Sequence, residues 1–339
     1  MPTIKDVEEV SGYSVCTVSK ALSGKGNIRE DTRRKILAVV EEIGYHPNRL
    51  AVSLKTGRTN SLALIVPDVT NIYFPRLEKY VEQYASQKGY MVFLCDAGNS
   101  FEREKNFIEE LSRGRVDGVI VTPSTPEHDH IMRLKELGIP YVYLNRYFQD
   151  DPDRCIRIDN ERGAFECVSY LLDQGYRRIG AVLQSFRNTS YLERYEGMKR
   201  AFAQRGMRLE EDLIVFDADD LENSHHAIGA LLKKKNRPEA VFAANDMLAL
   251  SVYQAAYDEG LRLPEDLAVV GYDDSILAGK IVPRLTSYYQ PARECAKAAI
   301  DRIVAAIEGG PAPENEILCG RLVVRESAPG KTGQRIRAI

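Results

Sequence analysis

At 339 residues, 44% of them hydrophobic, the chain is too long for one small core and is expected to fold as two or three compact units. Its net charge of −3 excludes a uniformly basic nucleic-acid protein, so any such contact has to be local; residues 1–60, with 10 basic and 7 acidic side chains, are mildly basic while the rest is acidic. The N-terminal MPTIKDVEEV lacks an apolar signal core, and no segment reaches the roughly 18–20 apolar residues that span a bilayer, so a cytoplasmic chain with no membrane partner is expected.

Thr3-Ile4-Lys5-Asp6 has the spacing of a capping box, and Ile4, Val7 and Val10 follow at helical spacing, predicting a first helix to about Ser11. Gly12 supplies a left-handed stop, and Ser14 can cap a second helix, Val15 to Leu22, with Val18 and Leu22 on one face. The pattern is helix, tight turn, helix. Val15, Cys16, Thr17, Ser19 and Lys20 are left for the other faces, where small and polar groups suit approach to a major groove. After the Gly-rich segment 23–27, a third helix places Ile36, Leu37, Val40 and Ile43 in a stripe that buries against the first two, and Gly44 to Pro47 end it. Residues 48–57 then form a helix of under three turns, marginal alone in water, with Leu50 and Leu54 one turn apart. A paired copy laid on a DNA minor groove would supply the surface it needs. On spacing alone, a three-helix unit also suits a dimerisation or docking module.

From Ser61 onward apolar strands alternate with amphipathic helices. Leu62–Val66, Met91–Cys95, Gly118–Val121 and Tyr141–Leu144 come first; the rhythm restarts near Glu161 with Ile179–Leu183, Leu213–Phe216, Ala240–Ala243 and Leu267–Gly271. This predicts an α/β body of two doubly wound parallel-sheet lobes, with a ligand cleft lined by the loops that follow the strands. No GxGxxG, P-loop, HExxH or GxSxG motif follows a strand, so a nucleotide-processing or hydrolytic enzyme is disfavoured and binding without chemistry remains. The five histidines, including the pairs His128/His130 and His225/His226, have no third ligand nearby in sequence and read as surface residues; no metal or cofactor is expected. Six scattered cysteines without a CxxC pair read as reduced, small core residues. With no Trp in the chain, stacking against a ligand falls to aromatics such as Tyr73, Phe74, Tyr147 and Phe186.

The first segment resembles the headpiece and hinge of LacI/GalR-family repressors: Thr3 to Val7, Ser14, Thr17-Val18-Ser19-Lys20, Thr32-Arg33, Gly44-Tyr45, Pro47-Asn48, Ala51 and Leu54 match in order. The body resembles that family's periplasmic-binding-protein-like effector domain over residues 60–327, through Pro67 to Asn71 with Phe74, residues 159–164, Arg194 with Gly197, Asn245-Asp246, Gly271 to Asp274 and Gln290. The resemblance implies a small all-α helix-turn-helix headpiece over 1–46, a hinge helix and linker over 47–59, an effector-binding and dimerisation domain over 60–330, and a tail over 331–339. Within the body it implies an N-lobe of about 60–159 and 291–318 and a C-lobe of about 160–290 and 319–330. It further implies a homodimeric repressor of transcription that binds double-stranded inverted-repeat operator DNA and answers to a small-molecule effector, a sugar or sugar derivative. Operator contacts would fall on Thr3, Ser14, Val15, Cys16, Thr17, Ser19, Lys20 and Asn27, and in the hinge on Asn48, Ala51 and Leu54, with Leu54 wedged into the minor groove. Effector contacts would fall on Tyr73, Phe74, Asn145, Arg194, Asn245, Asp273 and Gln290.

Three positions depart from the family pattern. Lys20 offers a point charge where Arg is more usual, Arg29 replaces a Ser that commonly caps the third helix, and Asn145 stands where Asp is frequent. Other roles also suit some of these residues: Asp273 and Asp274 the cap of a following helix, Phe74 interlobe packing, Arg194 a surface helix position. The tail has no leucine heptads, which favours a dimer over a tetramer. The competing class is a sugar sensor or carrier that does not bind DNA.

Overall fold

The computed structural model describes residues 2–23, 27–46, 57–148, 151–186, 188–216, 221–311 and 314–330. The chain divides into two compact units, Met1–Thr59 and Asn60–Ile339.

The first unit contains α1 (Ile4–Ser11), α2 (Val15–Ser23) and α3 (Glu30–Glu42). The Thr3 backbone N–H and hydroxyl both donate to Asp6 Oδ2, at 2.6 and 2.9 Å, and these bonds hold the Asp6 carboxyl below its usual range. Gly12, at φ +70°, turns the chain and donates to the Glu8 carbonyl at 2.9 Å. Across that turn the Glu8 carboxylate accepts from the Val15 N–H at 3.0 Å, so a side chain of α1 satisfies an orphan donor at the start of α2. The helices close on Val7, Val18, Ala21, Ile36 and Tyr45. Val10 and Leu37, expected on the buried stripes, are 55% and 40% exposed instead. Arg29 gives α3 no side-chain cap bond, though Glu30 and Asp31 place negative charge in its first turn.

The second unit runs β1 (Ser61–Val66), α4 (Tyr73–Gln87), β2 (Met91–Asp96), α5 (Phe101–Leu111), β3 (Gly118–Val121), α6 (Asp129–Glu136), β4 (Tyr141–Leu144) and β5 (Cys155–Ile158). It continues with α7 (Asn160–Asp173), β6 (Ile179–Val182), α8 (Thr189–Gln204), β7 (Ile214–Val215), α9 (Leu221–Leu232), β8 (Ala240–Ala243), α10 (Asp246–Asp258) and β9 (Ala268–Asp273). Last come β10 (Thr286–Tyr289), α11 (Ala292–Ile307), β11 (Glu316–Leu318) and β12 (Arg321–Val323).

Among the described residues two six-stranded sheets result, ordered β11-β5-β4-β3-β1-β2 and β12-β10-β9-β8-β6-β7. The first is parallel throughout; in the second only β12 runs antiparallel, beside β10. Both central strands are buried on two faces, which is why they read as unbroken apolar runs: in β1, Leu62, Leu64 and Val66 enter one core while Ala63 and Ile65 enter another. The chain passes from one sheet to the other between β5 and β6, returns between β10 and β11, and passes again between β11 and β12. In each sheet the order reverses beside the strand that comes first in the chain, β1 or β6, so the loops at the carboxyl ends there diverge and leave a crevice.

Candidate functional site

The carboxyl ends of both sheets face one small cavity of about 10 Å³, room for roughly one water. From the first lobe come Tyr73 and Phe74, which open α4 in an edge-to-face pair with centroids 5.4 Å apart, and Asn145, in left-handed conformation (φ +72°) just after β4. From the second come Tyr191 and Arg194 on α8, Asp273 at the end of β9, and Gln290 after β10. Asn71 fixes the entry of α4, its side-chain carbonyl accepting from the Tyr73 N–H at 3.1 Å.

Arg194 is buried and anchored by several partners. Its Nε donates to Asn160 Oδ1 at 2.9 Å, its Nη1 donates to the Ala244 carbonyl, and its guanidinium lies 3.8 Å from the centre of the Tyr272 ring. Asp273 accepts from Gln290 Nε2 and has φ +113°, a conformation that costs free energy for a residue with a Cβ. The Asp246 carboxylate braces that loop: one oxygen accepts from the Ser275 N–H and hydroxyl, both at 2.7 Å, and the other from the Ser287 hydroxyl at 2.6 Å. Burial raises the Asp273 carboxyl, with Arg194 opposing the rise and Asp246 adding to it; burial likewise raises Asp246 against its serine donors. Three polar atoms at the cavity, Tyr73 Oη, Asn145 Oδ1 and Gln290 Oε1, are buried with no hydrogen-bond partner among the described residues. Such atoms are costly unless something else completes them.

Of the seven residues expected at an effector, the structure brings six together here: Tyr73, Phe74, Asn145, Arg194, Asp273 and Gln290. Asn245 lies outside the lining. It caps α10 through the Leu248 N–H at 2.7 Å and donates to the Tyr191 hydroxyl at 2.8 Å, so it stands behind the cavity wall. Arg194 is not a surface residue and no helix follows Asp274 directly, which removes two of the alternative roles. Sequence reasoning missed Asn71, Arg146, Ser190 and Tyr191 at the cavity. Tyr191 was findable, since it sits three residues before Arg194 on one helix and so shares its face.

Two other expectations need correcting. His130 is buried, because its Nε2 pairs at 2.8 Å with Glu104, itself fully buried, whose other oxygen accepts from the Ser124 N–H. Cys16 and Cys319 are exposed, because neither contributes to a core; the other four cysteines are buried. No three potential metal ligands cluster among the described residues, and no described helix is long and apolar enough to cross a membrane.

In the first unit, Thr3, Ser14, Cys16, Lys20 and Asn27 are exposed, while Val15, Thr17 and Ser19 are half-buried. Asn48, Ala51 and Leu54, with most of the expected hinge, lie outside the described residues. Residues 3–48 match the family model for bacterial regulatory proteins of the lacI family, and residues 168–328 match the periplasmic binding protein-like domain. Among curated relatives, the HTH-type transcriptional regulator DegA of Bacillus subtilis (strain 168) is 33% identical over 86% of this chain and 87% of its own length. The chain belongs to the LacI family. Another member, the HTH-type transcriptional repressor PurR of Vibrio vulnificus (strain CMCP6), is 32% identical over 91% of this chain and 92% of that protein. Among solved structures, the transcriptional regulator CelR–cellobiose complex gives a TM-score of 0.74 at 29% identity, covering 96% of this chain and all of that one. The Lac repressor dimer bound to operator and the anti-inducer ONPF gives 0.86 at 24% identity, covering 96% of this chain and 99% of that one, and shows the shared fold. A LacI-family member of this architecture is a DNA-binding transcription regulator, and its relatives are regulators, not enzymes.

Proposed function

We propose that the chain is a dimeric repressor whose operator affinity is set by a sugar or sugar derivative held between the two lobes at Tyr73, Phe74, Asn145, Arg194, Asp273 and Gln290, with Asn245 supporting the wall. The observation that carries this reading is the set of three orphaned buried polar atoms around one cavity. Two of them are carbonyl acceptors beside the Asp273 carboxylate, and Arg194 supplies a cation; hydroxyl groups, each both donor and acceptor, complete such a set. Relatives' ligands agree in class: structures are known of family members with cellobiose, with ribose and with D-xylulofuranose.

The cavity is too small for a sugar as it stands, so entry requires the lobes to part. That movement would alter the spacing of the two hinges at residues 47–59 in a dimer and so the fit of two headpieces to an inverted repeat. Dimerisation is supported by the apolar edge strand β2, where Met91, Phe93 and Leu94 are 46%, 45% and 45% exposed. The operator contacts proposed are Thr3, Ser14 to Thr17, Ser19, Lys20 and Asn27, with Asn48, Ala51 and Leu54 in the hinge.

The test is a gel-shift with DNA flanking the protein's own gene, with and without a sugar panel chosen by thermal shift. Specific binding that a sugar modulates is expected, and Asp273→Ala or Arg194→Ala should abolish the modulation while sparing operator affinity. Sugar binding without specific DNA binding would make the chain a sensor or carrier and end the repressor reading.

A further inference from the structure

A second, larger chamber of about 380 Å³ adjoins the small one, and nothing in the effector assignment above uses it. The same two stretches of chain line both, residues 145–148 and 188–194, and Arg146 forms part of either wall. Their chemistry differs. The inner cavity sets Asn71, Asn145, Arg194, Asp273 and Gln290 around its aromatic rings, whereas the outer one sets Tyr147, Phe148, Phe186 and Leu192 among Thr125, His128, Arg146, Asn188 and Thr189, and none of the described residues lining it is acidic.

In the closed arrangement its aromatic walls are held in place. The Tyr147 hydroxyl donates to Glu193 at 2.8 Å, and the Arg157 guanidinium sits 4.8 Å from the centre of the Tyr147 ring. Phe148 packs between His128 and Tyr143, at 5.1 and 5.4 Å. Phe186 rests against Tyr195 and Phe216, at 5.1 and 5.4 Å, with 39% of its surface exposed. Thr125 Oγ1 is among the polar atoms buried at this wall with no hydrogen-bond partner among the described residues. Aromatic faces set among neutral and basic polar side chains match a sugar ring, which carries a C–H face and a rim of hydroxyls, and the volume lies within the range of small-ligand sites, roughly 300–1,000 Å³.

We infer that the outer chamber is a subsite for a second ring of the same ligand, so the effector is a disaccharide: one ring completes the polar atoms of the inner cavity while the other stacks on Tyr147, Phe148 and Phe186. This rests on the proposed effector reading and narrows it.

The experiment is isothermal titration of the full-length protein with free monosaccharides (glucose, galactose, xylose, ribose) and with cellobiose, maltose, lactose and sucrose, repeated on Phe186→Ala, Leu192→Ala and Asp273→Asn. At least one disaccharide should bind about tenfold or more tightly than either of its component sugars. Phe186→Ala and Leu192→Ala should weaken that disaccharide about five- to tenfold while leaving monosaccharide affinity and circular dichroism unchanged. Asp273→Asn should weaken both classes. A monosaccharide that binds as tightly as any disaccharide, with Phe186→Ala and Leu192→Ala indifferent, overturns the subsite and leaves the effector reading standing. Affinity that depends on Phe186 and not on Asp273 moves the whole ligand outward and overturns the two-ring arrangement. Absence of binding by either class overturns the subsite and the effector reading together.

Discussion

Raising the pH from 6 to 8 is expected to tighten effector binding about tenfold, and Asp273 is the group responsible. Its carboxyl is 3% exposed, and burial lifts it from 3.8 to about 7, with Arg194 pulling it down and the Asp246 carboxylate pushing it up. A group titrating near 7 is about one-tenth ionised at pH 6 and about nine-tenths at pH 8. Ligand hydroxyls donate more strongly to a carboxylate than to a neutral acid, so binding selects the ionised form and releases a proton at low pH. The fold itself responds with the opposite sign. The native state holds this proton more tightly than the unfolded chain, so the stability it contributes is full below about pH 4, is lost as pH rises to about 7, and changes little above that. Titration calorimetry at pH 6, 7 and 8, in buffers of different ionisation enthalpy, reads both the affinity and the protons released. Asp273→Asn should bind weakly with no slope. A flat profile in the native protein, or the same slope in Asp273→Asn, refutes the reasoning; the latter would transfer the titration to Asp246, which burial also raises, to about 6.

The other predictions concern the scaffold and the hinge. Ile36→Ala removes a fully buried side chain from the headpiece core and should cost about 2–5 kcal/mol, enough to unfold so small a unit; operator binding should vanish while ligand-induced stabilisation of the body persists in a thermal melt, and retained operator affinity would refute that core. At Gly197 a Cβ would lie 2.1 Å from the Glu161 carbonyl oxygen, so Gly197→Ala must force α7 and α8 apart; a loss of about 3 kcal/mol or more in urea unfolding is expected, and an unmoved midpoint would show that the helices yield freely. Leu54→Ala should weaken operator binding and DNA bending and leave salt-driven nonspecific binding intact. Lower thermal stability without DNA, with the bend unchanged, would instead make Leu54 an interdomain staple.

The sequence discloses the parallel body where strands are buried on both faces, because Leu62–Val66 or Ala240–Ala243 leave only apolar residues to read. It conceals β5, β10, β11 and β12, since Cys155–Ile158 is four residues long with Arg157 inside it, Thr286–Tyr289 begins with two hydroxyl residues, and the other two strands are three residues long with a charge in each. The last three exist only through neighbours far along the chain, such as Ile156 beside Glu316 and Val323 across from Ser287. The site divides in the same manner. A polar residue at or just past a legible strand is expected to face the crevice, which serves for Asn145 and Asp273; Gln290 follows the concealed β10 and is reached only through the family resemblance. The same rule overreaches at Asn245, where the side chain turns back to cap its own helix. Burial of His130 could not be read either, because its partner Glu104 lies 26 residues away on another helix.

What a ligand must overcome to move the lobes follows from the bonds that join them. The Tyr147 hydroxyl and the Arg157 guanidinium of the first lobe both donate to Glu193 of the second, at 2.8 and 2.7 Å, and Arg76 Nη1 donates to the Asp274 carbonyl at 2.8 Å. Burial raises the Glu193 carboxyl, and Arg157, Tyr147 and Asn160 together oppose it, so Glu193 is costly to uncover by halves: losing one donor strands a buried charge. Net contributions of about 1 kcal/mol for each such bond give a closed state held by a few kcal/mol. That is the scale on which one ligand shifts an equilibrium between two conformations, typically about 1–3 kcal/mol of coupling. A much stronger clasp would leave the lobes closed whatever the ligand, and a much weaker one would leave nothing for the ligand to change. Glu193 lies on α8 one residue before Arg194, so the bonds that join the lobes and the cation of the cavity sit on the same turn of helix. Filling the cavity therefore cannot move Arg194 without straining the clasp beside it, and that shared turn is where binding and lobe movement become a single event.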